Sequence, residues 1–387
     1  MTDLQRDIHG WEILKSLGEG GQSKVYLVRS PARQVERKEK LAEMARAVRA
    51  QDEEKMSEAV WSAVRPDDPA ELGALKVFNI PPKSTGPPPP PDYEPLKRLK
   101  NEIAALRIDL PGLPKLLDAD EDERWIVTEY FPERSLKHNM LKYRGKVIPA
   151  LKAFRSLVQT VASLHAKNYV HRDIKPPNVF VRGDELVLGD FGIVFMPDEQ
   201  GRVTMPLERV GPRDYMPQWT NLGERVDDVR PTTDVYMLGK LLWSLVDGRA
   251  FLPYQSQKYP QFDLTLTFPG DPHMNFINQI LDRSVVEHER DCTLTAGEML
   301  QFINKMIQVA ERGGQMIRTG VPRPCRICGD GFYIPDTMSS TNLPPIRSGD
   351  AVSVGMWVGG QQTTLKVYPF VCSYCGHLEF FTKSAPS

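Results

Sequence analysis

Residues 171–178 read His-Arg-Asp-Ile-Lys-Pro-Pro-Asn, and this segment restricts the fold more than any other. Its two adjacent prolines rule out a regular helix, because each lacks an amide hydrogen and clashes with the preceding turn. A short loop remains, one that can aim Asp173, Lys175 and Asn178 into a single cleft. Twelve residues after Asn178, behind the apolar stretch Leu186, Val187 and Leu188, come Asp190, Phe191 and Gly192. Two carboxylates and an amide carbonyl are hard oxygen ligands of the kind Mg²⁺ accepts, and a lysine beside them can neutralise a phosphoryl group in transit. The set points to phosphoryl transfer.

In order and spacing these residues resemble the catalytic loop and metal-binding Asp-Phe-Gly of the eukaryotic-type Ser/Thr protein kinases. His-Arg-Asp alone is a common surface tripeptide; the Lys, the Asn and the downstream Asp-Phe-Gly in register give it weight. The resemblance implies that Asp173 accepts or orients the substrate hydroxyl proton. It implies that Lys175 stabilises charge on the γ-phosphate and that Asn178 and Asp190 hold Mg²⁺. Lys175 also favours Ser/Thr over Tyr as the acceptor.

Upstream, β-rich flanks surround Leu17, Gly18, Glu19, Gly20, Gly21, Gln22, Ser23 and Val25. Backbone N–H groups approach phosphates closely only where no Cβ intrudes, so this reads as a hairpin covering ATP. A dinucleotide fingerprint would need a helix directly after the glycines, whereas residues 24–28 look like a strand. Ser23 stands where the family usually carries its third glycine. Lys76, in Ala-Leu-Lys-Val-Phe, matches the third-strand lysine, and Glu102, on an amphipathic helix from about residue 95, matches the acid that pairs with it. Residues 123–131 match the fifth strand and hinge, with Thr128 as gatekeeper and Glu129 and Phe131 offering backbone groups to adenine.

Two segments fall outside the resemblance. Residues 31–72 form an insert in which Leu41, Met44, Ala45, Val48, Met56, Val60 and Val64 recur at helical steps, one long or two shorter amphipathic helices. Such an insert is either a solvated decoration or a docking element. Residues 81–95 are proline-rich and read as a stiff linker.

After Gly192 an activation segment is expected to about residue 222, with Thr204 as the candidate phosphorylation site. Its end, Gly-Pro-Arg-Asp-Tyr-Met-Pro-Gln-Trp at 211–219, departs from the family pattern. Pro212 replaces a hydroxyl residue, and Trp219, or Gln218 with a gap, replaces the Glu that pairs with a late arginine, here Arg290 as the candidate. Asp234 resumes the match, as a helix cap or as an anchor of the catalytic loop. The kinase-like part is expected to span residues 1–310, with a linker over 311–322.

Four of the five cysteines form two C-x-x-C-Gly knuckles, Cys325 with Cys328 and Cys372 with Cys375. Four thiolates suit tetrahedral Zn²⁺ and leave no open position for water. Between them, 351–358 and 363–371 alternate around Gly359 and Gly360 as a β-hairpin. Residues 323–383 therefore resemble a structural zinc ribbon, with redox pairs or disulfides as alternatives.

The fold class expected is α+β: a bilobal kinase-like fold followed by a small β-rich ribbon. Lys plus Arg number 49 against 50 Asp plus Glu, so no basic field recruits nucleic acid or an anionic membrane. From a start without an apolar signal core, and no run of about 18 apolar residues, a cytoplasmic protein is expected. ATP, Mg²⁺ and Zn²⁺ are the implied cofactors. A protein substrate is implied, and the ribbon or insert is expected to offer a protein docking surface. A pseudokinase scaffold is the rival reading, supported by the altered 211–219 segment and opposed by intact Asp173, Asn178, Asp190 and Lys76.

Overall fold

The computed structural model describes residues 7–19, 23–50, 71–80, 90, 93–108, 110–194, 214–221, 230–253, 256–269, 271 and 273–312. Further along it describes only the backbone of five C-terminal strands. The chain divides into two compact units. The first takes residues 1–139, 163–212 and 223–234, and the second takes 140–162, 213–222 and 235–387.

The first unit is built on a six-stranded antiparallel sheet. Its strands are β1 (Asp7–Ile8), β2 (Trp11–Glu19), β3 (Ser23–Arg29), β4 (Leu72–Phe78), β5 (Leu116–Asp120) and β6 (Trp125–Glu129), in the order β1-β2-β3-β4-β6-β5. Trp11, Val28, Leu75, Trp125 and Val127 close over one face as its core. Gly73 is required there, since a Cβ would sit 2.6 Å from Val127 Cγ1. Between β3 and β4 the chain leaves the sheet through helix α1 (Pro31–Ala50), and between β4 and β5 through helix α2 (Glu94–Leu106). Pro95 starts α2, where a missing amide hydrogen costs nothing. Strands β7 (Val179–Arg182) and β8 (Glu185–Leu188) form a separate hairpin.

The expected insert begins as helix α1, and of its apolar stripe Leu41, Ala45 and Val48 are exposed, as is the neighbouring Val35. The buried residues are Arg33 and Ala47. Arg33 is held by Ser30, by Glu36 at 3.0 Å and by Glu71 at 3.6 Å, so ion pairs rather than an apolar stripe seat the start of this helix. Met56, Val60 and Val64 lie outside the described residues.

The second unit is helical, followed by the C-terminal strands. Its helices are α3 (Met140–Tyr143), most of α4 (Val147–Ala166) and of α5 (Pro231–Asp247), α6 (Leu264–Thr267), α7 (Met274–Ser284) and α8 (Ala296–Arg312). Leu151, Phe154, Leu157 and Val158 of α4 and Leu241, Leu242, Trp243 and Leu245 of α5 are fully buried. Helix α5 lies so close to Ser284 and Val285 that a Cβ at Gly239 would overlap both. A capping box starts α8: the Glu298 amide donates to Thr295 Oγ1 at 3.1 Å, and the Thr295 amide donates to Glu298 Oε2 at 2.8 Å. The sheet-rich first unit and helical second unit fit the bilobal expectation.

The last strands are β9 (Val321–Pro324), β10 (Phe332–Pro335), β11 (Val352–Val358), β12 (Gln361–Cys372) and β13 (Leu378–Thr382). They form one antiparallel sheet, and the expected hairpin is present with Val358 opposite Gln361.

Candidate active site

Strand β4 alternates its side chains, so Leu75 enters the sheet core while Lys76 projects from the other face. Helix α2 buries Leu96, Leu99, Ile103 and Leu106, and Glu102 falls on that same stripe with 4% of its surface exposed. Helical spacing thus carries the carboxylate inward rather than to solvent. Lys76 Nζ donates to Glu102 Oε2 at 2.7 Å, to Oε1 at 3.0 Å and to Asp190 Oδ1 at 3.2 Å. Burial works against the ammonium, but Glu102 and Asp190 together outweigh it, and the lysine pKa ends above its ordinary value. Lys76 in turn holds the Asp190 carboxyl below the usual carboxylate range, against its partial desolvation. One strand, one helix and the Asp-Phe-Gly are thereby joined through a single cation.

The loop between α4 and β7 is the second part of the site. Lys175 Nζ lies 2.8 Å from Asp173 Oδ1, and Asn178 Nδ2 donates to Asp173 Oδ2 at 2.7 Å and to its carbonyl at 3.0 Å. Both bonds use the amide nitrogen of Asn178, so its oxygen is the atom a cation would take. Burial pushes the Asp173 carboxyl above its ordinary pKa, and Lys175 opposes that shift.

Beneath the loop lies Asp234, wholly buried in the first turn of α5. It accepts from the backbone amides of His171 at 2.7 Å and Arg172 at 2.8 Å, and it sits 3.0 Å from His165 Nε2. These donors hold its pKa low against the opposing effect of burial. Asp234 therefore anchors the loop. Arg172 and Asp190 occupy left-handed backbone, φ +69° and +61°, conformations that non-glycine residues keep only where their surroundings enforce them.

The two loops are tied together where the Gly189 amide donates to the Asn178 carbonyl at 2.8 Å. Gly189 is also where Phe180 packs, and a Cβ there would come within 2.6 Å of the ring. Phe180 stacks on Phe131 with centroids 4.9 Å apart and planes 14° off parallel. The Arg182 guanidinium lies over the other end of this pair, 5.5 Å from the Phe131 ring, and pairs with Glu129. Asn178 and Asp190 supply the amide oxygen and carboxylate that suit a hard cation, so the residues present fit Mg²⁺. Among the described residues no group of three or more His, Cys, Asp or Glu gathers as a metal site.

Of the residues singled out in the sequence, the structure brings together Lys76, Glu102 and Asp190, and likewise Asp173, Lys175 and Asn178. Leu17, Gly18 and Glu19 lie on the exposed end of β2, Gly18 opposite Val25 of β3 and Glu19 opposite Lys24, to which it is paired at 3.0 Å, while Ser23 opens β3 opposite Phe78 of β4. Thr128 and Glu129 close β6, and Phe131 follows. Gly20, Gly21, Gln22, Thr204, Cys325, Cys328 and Cys375 lie outside the described residues, and Cys372 ends β12. His165, Phe180 and Arg182 were not legible in advance. Only a His in the last turn of the helix before the loop hinted at the first.

Comparison with known proteins identifies the family. A family model described as protein kinase domain matches residues 93–313, more than half of the chain. The chain is 30% identical to the Myxococcus xanthus serine/threonine-protein kinase pkn2 over 169 residues, 41% of this chain and 20% of that protein. It is 36% identical to the Streptomyces coelicolor serine/threonine-protein kinase PkaA over 164 residues, 40% of this chain and 29% of that one. A probable serine/threonine-protein kinase of Thermomonospora curvata, PkwA, is 31% identical over 159 residues, 40% of this chain and 21% of its own. The chain thus spans less than a third of the length of each of these relatives. With the matched model and the paired lysine, glutamate and aspartate in place, the chain belongs to the protein kinase family.

Proposed function

We propose that this chain transfers the γ-phosphoryl group of ATP to Ser or Thr hydroxyls of a protein. In this reading Asp173 orients the acceptor hydroxyl and takes its proton, while Lys175 beside it stabilises charge on the departing phosphoryl group. Asn178 and Asp190 would hold Mg²⁺, which when bound masks the charge of the phosphates. Lys76, steadied by Glu102, would receive the α and β phosphates. The hairpin of Gly18, Gly20 and Gly21 would cover them, and Thr128, Glu129 and Phe131 would frame the adenine.

The observation that carries the reading is the double bridge from Lys76 to Glu102 and Asp190, 2.7 and 3.2 Å. It is the arrangement a kinase needs before it turns over. The test is incubation with radiolabelled ATP, Mg²⁺ and dephosphorylated casein, wild type beside Asp173→Ala. Label in casein from the wild type and none from the variant is the expected result; equal labelling by both would remove it. A scaffold without transfer activity is the second reading, favoured by Pro212 and Trp219 in the segment meant to position substrate. Absence of label in both casein and the kinase itself would select it.

For the C-terminal sheet we infer a zinc ribbon that docks a protein partner. Its support is that the strands that flank each C-x-x-C in sequence pair antiparallel with one another. In sequence, Cys325 and Cys328 fall after β9 and before β10, while Cys372 is the last residue of β12 and Cys375 comes before β13. Tyr333 and Cys372 are paired across β10 and β12. About one zinc per chain is expected in purified protein, falling on Cys325→Ser; a zinc-free native preparation would refute the assignment.

A further inference from the structure

The segment ending at Trp219 lacks the acid by which the family clamps it to a late arginine, and Arg290 correspondingly stands in solvent. Its side chain is 81% exposed, and among the described residues its ion-pair partner is Asp291 at 3.9 Å. Something else must fix residues 214–219, because Tyr215 and Pro217 are buried and Trp219 is half-buried against Tyr236, 5.2 Å away edge to face.

The cation that takes this place is in the middle of α5. Lys240 is 1% exposed, and its ammonium donates to the carbonyl of Asp214. The rings of Tyr215, Tyr236 and Phe251 surround it at 5.9, 5.7 and 5.1 Å. A second tie runs from the same segment. Tyr215 Oη donates to the Ala250 carbonyl at 2.7 Å and lies 3.1 Å from Ser244 Oγ. Burial lowers the Lys240 pKa to about 8 despite Asp214, and raises that of the Tyr215 phenol, which stays a donor. A helix that needed only packing here would carry Leu or Met, since a buried ammonium is costly unless it is used.

We propose that Lys240 is a positioning residue that replaces the absent acid–arginine clamp, holding residues 214–219 where an acceptor peptide is received. The proposal rests on the kinase reading above, because it concerns where that reaction's protein substrate lies. A tether of this kind acts on the acceptor and leaves the nucleotide untouched. In Lys240→Met the KM for casein is therefore expected to rise by about tenfold, the scale of one lost charge-assisted hydrogen bond. KM for ATP and kcat at saturating casein stay within about twofold. Lys240→Gln, which keeps a donor, recovers part of the loss.

Unchanged casein KM in Lys240→Met, or an equal fall in kcat with no change in KM, overturns the proposal. A wild type that labels no casein at all fails the kinase reading instead, and hydrogen exchange then reads the tether without catalysis. Faster exchange of the 214–219 amides in Lys240→Gln, with α5 itself unchanged, supports the tether. Parallel loosening of both, or of neither, overturns it. The same exchange measurement decides the matter if Lys240→Met does not fold.

Discussion

In the proposed reaction Asp173 must be unprotonated to take a proton from a hydroxyl, and its charge state depends on its neighbours. Burial raises its pKa and Lys175 pulls it down, so the acid limb of kcat/KM should lie above the ordinary aspartate value of about 3.9. Removing the opposing charge in Lys175→Ala should move that limb to still higher pH, which a pH profile on casein reads directly. Asp234 behaves in the opposite sense. Its donors hold its pKa below the ordinary value, so its contribution to stability is full above the unfolded pKa and fades as pH falls through the folded one. In Asp234→Asn one of the two accepting oxygens becomes an NH₂ that meets a backbone N–H it cannot accept from, and urea unfolding should show a loss of about 2–4 kcal/mol. Asp173, Lys175 and Asn178 were legible because they sit within one loop of six residues. The partner of that loop was not, since Asp234 comes from 61 residues away and a sequence reading leaves it equally well as a helix cap.

The two helices that leave the sheet show what an apolar pattern does and does not reveal. In α2 the stripe Leu96, Leu99, Ile103 and Leu106 is the buried face, and Glu102 beside Ile103 is carried in with it. In α1 the stripe Leu41, Met44, Ala45 and Val48 is mostly in water, because Arg33 and its acids at the other end decide how the helix sits. Periodicity reports a face, and which face is covered depends on contacts that lie far away in sequence. Two outcomes follow. Glu102→Gln removes the buried charge that steadies Lys76, so kcat should fall by more than about tenfold and the melting temperature should drop as well, as steady-state kinetics and melting will show. Leu41→Lys with Val48→Lys should change stability by less than about 0.5 kcal/mol in a denaturant titration, because neither side chain is buried. A larger loss would mean that this face is covered.

At the scale of the whole molecule, the match to the family model begins at residue 93, yet the sheet that carries Lys76 begins at residue 7. The early strands were readable from the glycine hairpin and Lys76 alone, since insert and linker push them away from the rest of the motif set. No helix among the described residues is long and apolar enough to cross a membrane. The insert itself leaves and re-enters at a narrow neck. Arg29 is paired with Leu72 across adjacent strands, and the Ser30 amide donates to the Glu71 carbonyl at 2.8 Å. Closing a loop on so short a gap costs little more as the loop lengthens, each doubling adding about 0.6 kcal/mol. A reporter protein whose termini lie close together could therefore be spliced between Ala50 and Glu71, giving the molecule a built-in signal without disturbing a single rung of the ladder.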